Sequence, residues 1–132
     1  MNNTTIIRSA PVDIALVKAM HITWKMRIRA ALNGTGKWQD VHANNPEQSE
    51  IGKWIEQVGL WKYQHEPIFH MFLEQHQLLH KLASQIQQHH ESGQIEEARA
   101  LLTELDRLSE DFLKLIDTYK TVLEGYKSLS NN

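Results

Sequence analysis

From Ile95 to Leu129 apolar residues recur in steps of three and four, and this regularity constrains the fold more than any other feature of the chain. The row Ile95, Ala98, Leu102, Leu105, Ser109, Phe112, Ile116, Tyr119, Leu123, Tyr126 follows one face of a single long helix. A second row, Leu101, Leu108, Leu115, Val122 and Leu129, widens that face. A helix so long with so broad an apolar face must be covered by other helices, by a second copy of the chain, or by both.

The rest of the chain supplies three such partners. A first helix is expected from Pro11–Val12, with proline early in the first turn, to Asn33–Gly34. Its seam is Ile14, Val17, His21, Trp24, Ile28, Ala31. The polar stretch 34–44, with its Gly-Thr-Gly, reads as a loop. Asn45–Pro46 is expected to cap a short second helix carrying Ile51, Trp54, Ile55 and Val58, and Gly59 to end it in the left-handed conformation. A third helix is expected from Pro67 to about His90, with the seam Phe69, Phe72, Leu73, His76, Leu79, His80, Ala83, Ile86, broken at Ser92–Gly93. No stretch alternates with the period of a strand. The expected architecture is all-α: an antiparallel four-helix bundle with an additional short helix, one domain over residues 1–132 with its core at about 12–126.

Composition narrows the function. The 132 residues suit one domain with a core of its own. There is no cysteine, hence no disulfide framework and no thiolate zinc cluster, which fits a reducing compartment. Lys plus Arg number 14 and Asp plus Glu 16, too balanced for a nucleic-acid footprint. No apolar run approaches a membrane span, and Met1–Arg8 lacks the apolar segment of a signal peptide, so a cytoplasmic protein without a membrane partner is expected. No phosphate loop, Ser-His-Asp order or paired carboxylates point to an enzyme. The cluster Lys25, Arg27, Arg29 reads as a solvated face.

Eight histidines are many for this length, and three of them occupy apolar seam positions: His21 on the first helix, His76 and His80 on the third. A buried imidazole needs partners for both nitrogens. His76 and His80, four residues apart, lie about 40° apart around the helix and about 6 Å along it, a spacing that lets two imidazoles meet one ion. Ser109 also breaks a seam, either as a small residue or as a hydroxyl beside the histidines. His65 and His70 fall off the seam, and His89–His90 read as a solvated helix end.

The motifs His21-Ile-Thr-Trp24, Ser49-Glu-Ile51-Gly52-Lys-Trp54 and His76-Gln-Leu-Leu-His80, in this order, resemble the chemoreceptor zinc-binding (CZB) domain family over roughly Ile14 to Leu123. That family reads His-x-x-Trp, then Cys-x-apolar-Gly-x-Trp/apolar, then His-x-x-x-His. The resemblance implies one zinc per chain on His21, His76, His80 and the position of Ser49, with Trp24, Gly52 and Trp54 packing around it. It further implies a homodimer and a signalling partner or output domain of chemoreceptor or diguanylate cyclase type, whether the chain is stand-alone or excised. Ser49 stands where the family has its ligand cysteine, and a hydroxyl is the poorer ligand, harder and of high pKa. Three readings are open: an engineered replacement, a natural site of three histidines plus water, or a fold that has lost its metal. Glu50 ranks below water as a ligand. A thiol-based response to oxidants is not expected. Two alternatives are a metal-free dimerisation or interaction module and a hemerythrin-like di-iron bundle using His70 and Glu74. The second is disfavoured because those residues face away from His76 and His80 and the last helix has no histidine.

Overall fold

A computed structural model describes residues 9–130, with side chains as far as Gly125. The fold is all-α, with no strand among the described residues. Three long helices, α1 (Ala10–Leu32), α4 (Pro67–Glu91) and α5 (Ile95–Ser130), are joined by a shorter, composite rod. That rod consists of α2 (Glu50–Trp54), a π-helical turn (Ile55–Gly59) and α3 (Leu60–Tyr63). Among the described residues no helix is long and apolar enough to cross a membrane.

The ends follow their sequence signals. Ser9 caps α1 through its side chain, with proline in the first turn, and the helix closes at Asn33 before Gly34 turns left-handed at φ 77°. Gly93, at φ 76°, reverses the chain between α4 and α5. Those two helices form the main packing surface. Ion pairs fix α1 against α5: Lys18 meets Asp117 at 2.9 Å, while Lys25 and Arg29 meet Asp106 at 3.2 and 2.8 Å. The partners descend along α5 as they climb α1, so these helices run in opposite directions. Arg27 reaches Glu50 at 2.8 Å and ties α1 to α2. The basic cluster lies on a solvated face, as expected, with Arg27 and Arg29 exposed and each paired to a carboxylate of a neighbouring helix.

The seams are buried as their period requires. Ile14, Val17, Trp24, Ile28 and Ala31 of α1 meet Phe69, Phe72, Leu79, Ala83 and Ile86 of α4, and Ala98, Leu105, Phe112, Ile116 and Tyr119 of α5. Leu101, Leu108 and Leu115, the second row, are half-buried against this core. Ile95, the first residue of α5, is exposed instead. The side chains of Tyr126 and Leu129, like Met1–Arg8, lie outside the described residues.

The middle of the chain departs from expectation at two points. Pro46–Gln48 is a 3-10 turn without a side-chain cap from Asn45, and the residue that caps α2 is Ser49. Gly59 does not end the helix. It is right-handed, at φ −59°, inside the π turn. Its missing side chain is a matter of space: a Cβ there would stand 2.8 Å from Trp54 and 2.9 Å from Phe69. Gly52 is tighter still, since a Cβ would fall 1.9 Å from the Pro46 carbonyl. The 3-10 turn can sit on α2 only because position 52 has no side chain.

Candidate metal centre

His21 comes from the middle of α1, His76 and His80 from the middle of α4, and Ser49 from the start of α2. All four are buried, none more than 4 % exposed, and all four line one small cavity. It offers about 20 Å³ to the centres of water-sized spheres, room for about one water or one ion. His42, Asp40 and Glu50 line the same cavity.

Aromatic rings wall the histidines. The His76 and His80 ring centres lie 4.7 Å apart. Trp24 stands 4.7 Å from His80 and 5.9 Å from His21, and Phe112 stands 4.8 Å from His21. Burial among these rings disfavours the imidazolium. It pushes His21 down to about 4, helped by Lys25 and His80, and His76 down to about 3, helped by the two other histidines. His80 is pushed to about 4 by the same desolvation, against the pull of its bonds to the Ala43 and His42 carbonyls. All three are therefore neutral at pH 7, the form that ligates metal.

Their hydrogen bonds assign the nitrogens. His80 Nδ1 donates to the carbonyls of His42 (3.1 Å) and Ala43 (3.4 Å), which leaves Nε2 with the lone pair. A backbone acceptor behind the ring is the usual support of a metal-bound histidine. His21 Nε2 lies 2.6 Å from Ser109 Oγ, so the hydroxyl reading of Ser109 is the one that matches its position. His76 Nε2 is buried without a hydrogen-bond partner, an arrangement that calls for a physical explanation.

Ser49 behaves otherwise. Its hydroxyl donates to the Pro46 carbonyl at 2.6 Å and accepts from Gly52 N–H at 3.0 Å. Its proton and one lone pair are committed to starting α2. Among the described residues no three histidine, aspartate or glutamate side chains stand close enough to hold an ion as they are. The donors fit a borderline divalent cation in chemistry: neutral buried imidazoles from two helices, one with an orphaned nitrogen. The site is gathered but not closed.

His65, His70 and Glu74 are exposed, away from this cluster. His90 is not a solvated end residue. It is half-buried, and its Nδ1 accepts the Trp38 indole N–H at 3.0 Å. Sequence reasoning also missed Asp13, 1 % exposed, which accepts from Lys62 Nζ and Tyr63 Oη, each at 2.6 Å. Burial, with the bond to Asp13, pushes the Tyr63 phenol upward. Asp13 sits four residues before Val17, so the seam itself, read one turn earlier, could have found it.

No family model, no curated protein and no solved structure matches the chain.

Proposed function

We propose that this chain is a zinc-binding regulatory domain of the CZB kind, built as an antiparallel four-helix bundle, with His21, His76 and His80 as its protein ligands. The observation that carries this reading is the partnerless His76 Nε2, buried beside two other neutral imidazoles at a cavity of about one-water size. A zinc ion would supply a Lewis acid there, binding lone pairs from α1 and α4 at once. The chain's own part is to keep the rings neutral, to orient His80 through the 42–43 carbonyls and His21 through Ser109, and to exclude bulk water with Trp24 and Phe112. In this reading Ser49 is a helix cap, the site is insensitive to thiol oxidants, and occupancy biases how α1 packs on α4, which a signalling partner would read.

A second reading, a metal-free module that pairs with another copy, is favoured by one observation. Val12, Ile22 and Met26 stand exposed on the outer face of α1, opposite its buried seam.

The deciding experiment is zinc content after dialysis, together with thermal unfolding with and without a strong chelator, for the wild type and Ser49→Cys. About one zinc per chain in the wild type, and a melting temperature lowered by the chelator, is the expected result. Zinc only in the cysteine variant would identify a fold whose sensor is disabled. No zinc in either, with chelator-independent melting, would leave the metal-free module.

A further inference from the structure

We infer that His42, on the loop between α1 and α2, supplies the fourth zinc ligand in place of a residue at position 49. This assignment rests on the zinc reading above and adds a residue that neither the spacing of the seams nor the motif resemblance singles out.

Four residues with an oxygen or nitrogen donor in the side chain line the cavity besides the three seam histidines: Asp40, His42, Ser49 and Glu50. Ser49 is committed to the Pro46 carbonyl and the Gly52 N–H. Glu50 is exposed and held by Arg27 at 2.8 Å. Asp40 is exposed. His42 is half-buried and carries an imidazole, the donor type of the other three.

Its backbone points the same way. His42 is the only non-glycine residue with positive φ among the described residues, at 54°. Side chains adopt that conformation at a cost, and it persists where the surroundings force it. Here three successive carbonyls are gripped by rings of the site. Trp24 Nε1 donates to Val41 O at 2.8 Å, and His80 Nδ1 donates to the carbonyls of His42 and Ala43. The loop is thus pinned to α1 and α4 on both sides of His42, and the residue at the left-handed position lines the cavity and is close enough to His80 to act on its charge. A His42 ligand would close the site from a third segment and make it all-nitrogen.

The test uses the full chain, zinc competed against a chromogenic chelator, and ¹⁵N signals of the imidazoles. His42→Asn keeps a residue that tolerates the left-handed backbone and removes the imidazole. Expected are an unchanged melting temperature without metal and a zinc affinity lower by about 100-fold, the upper end of what even a supporting partner of a ligand is worth. Zinc should shift four imidazoles in the wild type and three in the variant. Wild-type affinity in His42→Asn, with affinity lost in His76→Ala, overturns the assignment and leaves the three-histidine reading standing. A wild type that takes up no zinc overturns both.

Discussion

Two regions of the core bury polar groups, and they answer them by different means. At one end Asp13 is buried on α1, and its Oδ2 accepts from Lys62 Nζ and Tyr63 Oη, each at 2.6 Å. In the middle of the long helices, three imidazoles are kept uncharged by desolvation, and one ring nitrogen has no partner. The first arrangement joins α1 to α3 and meets the carboxylate with a cation through Oδ2, while Oδ1 is buried without a hydrogen-bond partner. The second leaves binding capacity unused inside a dry wall. Burial alone does not separate a structural polar group from a functional one. Each region holds a buried atom without a hydrogen-bond partner, and the difference lies in whether a cation from within the chain already stands against the group, as Lys62 does at Asp13.

Acid should break this comparison most strongly. The three histidines titrate near 6.5 when unfolded but only at about 3 to 4 when folded. Below pH 6.5 the unfolded chain therefore binds protons that the folded chain refuses, and stability falls as pH falls, levelling off below the folded values. At about 1.4 kcal/mol per unit, and allowing for the repulsion the rings share, the loss between pH 7 and pH 4 is on the order of 5 kcal/mol without metal. Urea midpoints across that range measure it, and His76→Leu should flatten the slope. An unchanged slope would mean that the histidine layer is wetter than its packing implies.

Asp13→Ala comes next. It removes the Lys62 ion pair and takes the acceptor from the buried Tyr63 hydroxyl, and should cost about 3 kcal/mol at any zinc concentration. If its effect depended on zinc, the two regions would be one network rather than two. Ser49→Ala has the smallest effect, about 1 kcal/mol for a lost helix cap. It should leave zinc affinity unchanged, and a large drop in affinity would return position 49 to the ligand set.

The parts of this architecture that were legible in the sequence are those governed by period. His21, His76 and His80 stand on apolar seams, and a seam position predicts burial whatever the residue. The turns at Gly34 and Gly93 were legible because a left-handed backbone has a strong residue preference. Gly59 misled, because the same residue type serves tight space as well as turns, and the crowding by Trp54 and Phe69 arises only after the chain has folded back on itself. Val41 and Ala43 carry no periodic signal in a polar loop, yet both are buried, drawn in by the Trp24 and His80 ring donors. The role of Ser49 was hidden by a competing signal, since Asn45–Pro46 resembles a helix start more closely. Sequence order says nothing about which of two adjacent starts the helix will use.

Trp24 has a consequence for observation as well as for packing. Its indole lies against His80 and near His21, whereas Trp61 is exposed to solvent and Trp38 faces His90. Indole emission is sensitive to the charge and electron demand of a ring in contact with it. The chain therefore carries its own optical gauge at the histidine layer, one that registers protonation or ligation in native protein without a label.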